Sequence, residues 1–370
     1  MLNSEGNMKT LMVVVGTRPE IVKMAPIIKG LEERKADYIF VHCGQHYDYN
    51  MSAQFIENLR LPKPDFELRI RAYSQGEQTA RIMIRMEQLM KKARPATVLV
   101  EGDTNGVLAT SIASLKLGID ISHIEAGLRS FDLRMPEEHN RRLTDHMSKY
   151  LFSPTETAAS NLKRENVWGN IYLTGNTVID AVGQHLPIAE EESRILEAIR
   201  FDKFALATAH RAENVDNLKV LANFIEAFTA APIPVVFPIH PRTKKRLKQN
   251  RVYNRVKEHG NLQILPPLGY LDFLLLMKKC EMIVTDSGGI QEEATSPYLR
   301  KPVLVIRMST ERPEAVEAGF AEVIGTDKHK ILEAIDRTLR KRKELPSTSP
   351  YGDGKAAEKI LSIIDKELNL

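Results

Sequence analysis

Cysteine is scarce in this chain: among 370 residues there are two, Cys43 and Cys280, far apart in sequence. Two such residues cannot build a disulfide framework or a thiolate zinc site, and they suit a reducing, cytoplasmic location. Long apolar runs are missing as well. The most apolar segments, such as 97–100, have the length of a strand, well short of the roughly 18 residues that a membrane-spanning helix needs, so no membrane association is expected. The opening MLNSEGN carries an acid and no apolar centre, which reads as a short tail and not as a signal peptide. Charge of one sign is not in excess, since 52 Lys and Arg face 48 Asp and Glu for a net +4. That balance excludes a nucleic-acid binder, while a local basic site for an anionic small substrate stays compatible with it. Neither a G-x-G-x-x-G fingerprint nor a Walker A loop follows any apolar run, which argues against tightly held NAD and against P-loop ATP hydrolysis. The ten histidines form close pairs only at His42 with His46 and His139 with His146, and no metal site is expected.

What is present is the mixture of an ordinary folded protein, 43% hydrophobic and 27% charged. At about 150 residues per domain the length fits two domains. Short runs rich in β-branched residues alternate with helical patterns: Leu11–Val15, Tyr38–Val41, Thr97–Val100, Ile119–Ile124, Tyr150–Phe152 and Ile171–Leu173, then Phe204–Thr208, Val235–Pro238, Leu262–Leu265, Glu281–Thr285 and Val303–Ile306. Continuous apolar strands separated by helices predict an α/β protein with two Rossmann-type doubly wound parallel sheets. The rhythm pauses at the polar, acid-rich stretch 183–192, which reads as the junction. Residues 1–174 are expected to form one domain and 175–351 the other. The closing stretch places Ile360, Ile363, Ile364 and Leu368 at helical spacing, so a terminal amphipathic helix over 352–370 must bury that stripe on a domain surface. Two such sheets facing each other would leave a cleft at the carboxyl ends of their strands, so functional residues should lie just after strands.

Several motifs do. Gly16-Thr17-Arg18-Pro19-Glu20 follows the first strand, with Lys23 one helical turn on, and a helix start there would stabilise an anion near Arg18. Asp286-Ser287-Gly288-Gly289 follows Glu281–Thr285, and its backbone N–H groups suit a diphosphate, with Glu292 or Glu293 able to accept from a ribose. Asp103 and Glu125 each come just after a strand, and Glu137 opens a helix after Pro136. Three carboxylates converging on one cleft would raise at least one pKa and let it act as an acid. Glu137 and Arg141 also have i,i+4 spacing, so a plain surface ion pair is the alternative reading of that acid. His210-Arg211 and His240-Pro241-Arg242 follow two further strands and could meet phosphate.

Taken in order, these segments resemble the non-hydrolysing UDP-N-acetylglucosamine 2-epimerases. The likeness runs from Gly16-Thr17-Arg18-Pro19-Glu20 through Gly44-Gln45-His46, Gly102-Asp103-Thr104, His123 to Arg129, Pro136-Glu137-Glu138 with Asn140-Arg141, and Thr174-Gly175-Asn176. It continues through His210-Arg211, Asp286 to Gly289 and Thr310-Glu311-Arg312-Pro313-Glu314. The resemblance implies the GT-B-like fold, with the terminal helix returning to the N-terminal domain, and interconversion of UDP-GlcNAc and UDP-ManNAc without a dissociable cofactor. It also implies Asp103, Glu125, Glu137 and His210 as catalytic residues. Nucleotide-sugar contacts would come from Arg18, Lys23, Gln45, Arg141, His240, Phe273, Ser287, Gly288, Gly289, Glu293 and Arg312. UDP, the two UDP-sugars and a second copy of the chain in a homodimer are the implied partners. The wording around 44–48 and 129–136 also looks like a branch acting on UDP-2,3-diacetamido-2,3-dideoxyglucuronic acid, with Arg134 a candidate for the C6 carboxylate. A glycosyltransferase on the same fold is the remaining alternative.

Overall fold

A computed structural model of the chain describes residues 9–44, 49–250, 252–257, 259–341 and 344–370. Its chain divides into two compact units, one running through Ala181 and including Gly352–Leu370, the other spanning Val182–Tyr351.

The first unit is built on a seven-stranded sheet of β1 (Leu11–Val15), β2 (Tyr38–His42), β3 (Phe66–Glu67), β4 (Thr97–Glu101), β5 (Asp120–Ile124), β6 (Tyr150–Ser153) and β7 (Asn170–Leu173). Their spatial order is β3-β2-β1-β4-β5-β6-β7, and every neighbouring pair is parallel. The second unit contains β8 (Ala205–Thr208), β9 (Val235–Pro238), β10 (Leu262–Leu265), β11 (Met282–Thr285), β12 (Val303–Val305) and β13 (Ala321–Val323), again all parallel, in the order β10-β9-β8-β11-β12-β13. Central strands are buried along their whole length, as LMVVV of β1 and TVLVE of β4 show, because helices cover both faces. The doubly wound architecture is the one the strand rhythm predicts. Two strands were not legible, β3 and β13. Both are two or three residues long and sit at or near a sheet edge, where little apolar pattern is needed.

In each sheet the strand order reverses once, between β1 and β4 and between β8 and β11. Such a switch point leaves room at the carboxyl ends of the two strands, where ligands bind in open parallel sheets.

The stretch 183–192, expected as a polar junction, is instead the second half of a continuous helix, Thr177–Glu192. Its polar residues are one face only. Val178, Ile179, Val182, Leu186 and Ala189 recur three or four residues apart and are buried. The units accordingly divide between residues 181 and 182, inside this helix, and not at 174/175. The terminal helix Ala356–Leu368 packs on helix Arg18–Glu33 of the first unit. It buries Ile360, Leu361, Ile364 and Leu368, each contributing about 1.5–3 kcal/mol on transfer from water. Gly30 lets it approach, since a Cβ there would stand 2.6 Å from Leu361 Cδ1. Its first turn is capped from a distance: the Asp180 carboxylate accepts the N–H groups of Ala356 and Ala357 at 3.2 and 2.9 Å.

Candidate active site

In the first unit, three strand ends converge at the switch point. After β1 the chain turns through Gly16 and Thr17 into helix Arg18–Glu33, which Pro19 helps to start. The Glu20 carboxylate folds back to accept Gly16 N–H at 2.7 Å and Thr17 Oγ1–H at 2.9 Å. Glycine is required beside this turn, because a Cβ on Gly44 would lie 2.6 Å from Gly16 O. Burial drives the Glu20 carboxyl up to about 7, against the hydrogen bonds from Thr17, Gly16 and Thr104, and the Asp103 charge adds to the rise. This has a measurable result. The unfolded chain releases that proton near 4.5 and the folded one near 7, so stability is full below about pH 4.5 and declines as pH rises through 7. Glu20→Gln should flatten the fall in unfolding free energy between about pH 5 and about pH 8, by on the order of 3 kcal/mol. An unchanged pH slope in urea denaturation would contradict it.

Asp103 follows β4 and is half-buried. Arg141 grips it with two nitrogens, Nε at 3.0 Å, and Asn140 Nδ2 donates to its carbonyl at 2.9 Å. A cavity of about 620 Å³ opens here, lined by Arg18, Gln78, Asp103, Thr104, Glu137 and Asn140 among others. Asp103 and Glu137 are thus brought to one cavity. The surface Glu137–Arg141 pair of the alternative reading does not form; Arg141 binds Asp103 and, at 3.1 Å, Glu138, which leaves Glu137 exposed. Glu138 is the structural acid of that helix start. Fully buried, it accepts Ser130 N–H at 2.8 Å and Ser130 Oγ–H at 2.9 Å, fastening loop 128–135. Arg134 lies in this loop with its guanidinium folded onto Asp132, Nε 2.8 Å from Oδ1, and its side chain almost wholly exposed.

Glu125 sits deeper. It is not a wall of that cavity but binds Lys23 Nζ and accepts Asn176 Nδ2–H at 3.0 Å. Lys23 Nζ is also 3.2 Å from Glu101 Oε1, so the lysine expected to touch nucleotide is committed to two buried carboxylates. The backbone at Glu125 has φ +68°, a left-handed conformation that a side chain normally avoids and that tends to mark functional positions.

A largely buried network holds the Asp103 and Glu125 turns in register. His123 on β5 places Nδ1 2.7 Å from Asp145 and Nε2 2.8 Å from the carbonyl of Gly102, the residue before Asp103. Asp145 also accepts Gly127 N–H at 3.2 Å, two residues after Glu125, and pairs with Arg129 at 2.7 Å. Arg129 in turn forks onto Glu165 at 2.9 and 2.6 Å.

In the second unit the equivalent strand ends carry a second cluster. Asp286, after β11, is buried and accepts the backbone N–H groups of His210 and Arg211, at 3.0 and 2.9 Å, and Asn214 Nδ2–H at 3.0 Å. His210 Nδ1 stands 3.1 Å from it. Burial pushes the Asp286 carboxyl up, but the hydrogen bond and charge of His210 and the donors from Arg211 and Asn214 outweigh it and hold the group below its ordinary value. The His240 ring lies 5.6 Å from that of His210, and burial together with the His210 charge lowers its pKa. Of the glycine-rich turn, Ser287 N–H is already donated to Thr285 Oγ1 at 3.0 Å, so the diphosphate donors expected over 287–289 reduce to the glycines. Helix Gly288–Ala294 begins directly at these glycines. Arg312 is buried beside Gly288 and bound to Glu292, while Glu293 takes the hydroxyl of Tyr270. Phe273 is half-buried in helix Tyr270–Lys279. Gln45 lies outside the described residues.

The sequence pattern of the family described as UDP-N-acetylglucosamine 2-epimerase matches residues 29–365. The chain belongs to that family. It is 45% identical to the UDP-N-acetylglucosamine 2-epimerase of Methanocaldococcus jannaschii, over 96% of this chain and 98% of that one. A crystal structure of the Methanocaldococcus jannaschii UDP-GlcNAc 2-epimerase with UDP-GlcNAc and UDP superposes with a TM-score of 0.87 at 44% identity, covering 96% of this chain and 99% of that one. The UDP-2,3-diacetamido-2,3-dideoxy-D-glucuronate 2-epimerase of Pseudomonas aeruginosa is 38% identical over 96% of this chain and 99% of its own. The two parallel-sheet units are therefore the GT-B-like fold of nucleotide-sugar epimerases, and the enzyme class is isomerase.

Several residues around these epimerase strand ends were passed over in the sequence. Glu101 and Glu138 neighbour acids that drew attention, Asp145 lies late in the helix that Glu137 and Glu138 open, and Asp286 was read only as part of a turn. One signal did exist for Glu101: an acid closing an apolar strand run must be buried and must find a cation.

Proposed function

We propose that this epimerase interconverts UDP-GlcNAc and UDP-ManNAc by eliminating UDP to 2-acetamidoglucal and adding it back with inversion at C2. The observation that carries the reading is the placement of Asp103 and Glu137 on one cavity, with Glu125 fixed by Lys23 in a left-handed turn of the same unit. The substrate's C2–H is flanked by an acetamido nitrogen and no carbonyl carbon, so deprotonation alone would leave an unstabilised carbanion. Expelling the diphosphate from C1 lets those electrons form the C1–C2 double bond, and cations that meet the departing charge lower the barrier. One carboxylate takes the proton and another acid returns it to the opposite face. Asp103, Glu125 and Glu137 divide that work, and His210, oriented by Asp286, assists departure of the diphosphate. Arg18 and Arg141 serve the sugar side, the latter through Asp103. His240, Phe273, the Ser287–Gly289 turn, Glu293 and Arg312 serve the nucleotide, Arg312 by shaping the turn at Gly288. The name of the Methanocaldococcus jannaschii relative and the UDP-GlcNAc bound in its crystal structure support this substrate; the Pseudomonas aeruginosa relative's name favours the uronate, to which Arg134, folded onto Asp132, lends no support.

The test is UDP-GlcNAc alone, with no acceptor, followed by NMR in D₂O. UDP-ManNAc carrying deuterium at C2 is expected. Retention of the original C2 hydrogen through turnover would sink the elimination route, and turnover of the 2,3-diacetamido uronate analogue alone would sink the substrate assignment.

A further inference from the structure

Glu101 is used by no step of the mechanism above, yet it is held in the position where a proton would be needed. As the last residue of β4, a strand buried along its whole length, it cannot turn its carboxyl to solvent. Among the described residues, the charged groups facing it are Lys23 and Glu20 from helix Arg18–Glu33 and Glu125 from the turn after β5. Lys23 Nζ bridges Glu125 and Glu101, bonded to the first and 3.2 Å from the second, and all three side chains are at most about a tenth exposed. One ammonium neutralises one carboxylate. A second buried carboxylate on the same lysine leaves an uncompensated charge, costing several kcal/mol, unless a proton resides on one of the two.

We propose that Glu101 and Glu125 share a single proton across Lys23, so that Glu101 supplies the proton that Glu125 gives to C2. The inference rests on the epimerase reading, in which Glu125 gains or gives a proton each time C2 is inverted. The transfer balances: Lys23 passes a proton to the Glu125 carboxylate as the Glu101 carboxyl returns one to Lys23, so the ammonium is restored and the net change is one proton moved from Glu101 to Glu125. After the proton has gone to C2 the pair regains one from solvent, and the base on the other face releases one to solvent, so a turnover sums to zero. Burial, opposed by Lys23 and reinforced by Glu125 and Glu20, raises Glu101 well above the carboxylate range, in keeping with its holding the proton at rest. Glu101 does not touch substrate; it is a positioning residue for the proton that Glu125 uses.

The test begins without substrate. In the full chain labelled with ¹³C at the glutamate carboxyls, one protonated signal beyond that of Glu20 should persist at neutral pH. It should vanish in Glu101→Gln and also in Glu125→Gln, because either change leaves one carboxylate paired with one ammonium; Glu20→Gln identifies the Glu20 signal. In the assay with UDP-GlcNAc, Glu101→Gln should lower kcat roughly tenfold to a hundredfold with KM within about threefold, and should move the pH–rate profile. Glu101→Asp, which keeps the acid, should recover much of the rate. The proposal is overturned if the protonated signal survives in Glu101→Gln, or if that variant keeps the wild-type kcat and pH profile. Because the titration needs no substrate, its result stands apart from the wild-type assay, whose failure would count against the epimerase reading instead.

Discussion

Replacing Asp103 by Asn, or Glu125 by Gln, is expected to lower turnover by about two to four orders of magnitude while UDP affinity stays within about threefold. Each substitution keeps shape and hydrogen bonding and removes only the titratable oxygen. In Asp103→Asn the new amide oxygen can still accept from Arg141, and in Glu125→Gln it can still accept from Lys23 and Asn176, so the turns should stay in place. Affinity for UDP is assigned to residues of the second unit, from His210 to Arg312, and these are untouched. Steady-state kinetics on UDP-GlcNAc, with calorimetric titration of UDP, separates the two quantities. Traces of glycal and free UDP in the slow variants would mark the stalled intermediate. A parallel loss of UDP binding would show that the carboxylates serve binding and not proton transfer.

The second large effect is structural. Asp145→Ala should cost about 3–5 kcal/mol of unfolding free energy, the range for breaking a buried pair by removing one partner. Asp145 is fully buried and simultaneously holds His123, Arg129 and Gly127 N–H. Its loss leaves Arg129, also without exposed side-chain surface, with the Glu165 carboxylate and the Leu128 carbonyl. The result should reach the site as well, since His123 then loses the anchor that keeps it on Gly102 O, one residue before Asp103. Urea denaturation at matched pH measures the loss. A stability change under about 1 kcal/mol would mean that the network is replaceable.

How much of this was open to reading can be judged from particular residues. Strands such as β1 and β9 fall where apolar runs with turn residues at each end put them, because a strand buried on both faces needs nothing but such a run. The acids Asp103 and Glu125 stood out because they follow strands at a place where open sheets bind ligands. Their partners did not stand out. Asp145 meets His123 across 22 positions, and Arg141 meets Asp103 across 38, distances over which spacing carries no signal. The alternative reading of a Glu137–Arg141 pair fails for a related reason: local i,i+4 attraction is worth a few tenths of a kcal/mol, and the half-buried Asp103 with the buried Glu138 competes better for the guanidinium. The helix across 183–192 was misread because its exposed acids mask an apolar stripe that shows only at three-to-four spacing. The left-handed backbone of Glu125 has no counterpart in composition at all, since glycine would be the ordinary choice there.

The terminal helix bears on the order in which the chain becomes stable during synthesis. Helix Arg18–Glu33, Asp180 and Gly30 wait for residues 356–368, yet the whole of segment 182–351 leaves the ribosome first. At roughly 5–20 residues per second the delay is on the order of ten seconds or more. By its end the second unit has every residue of its own core, whereas throughout it the earlier unit exposes the apolar surface that Ile360, Leu361 and Ile364 will cover. The half of the molecule made first is therefore the half completed last. A stalled or truncated chain lacking those residues should present that uncovered stripe to chaperones and proteases.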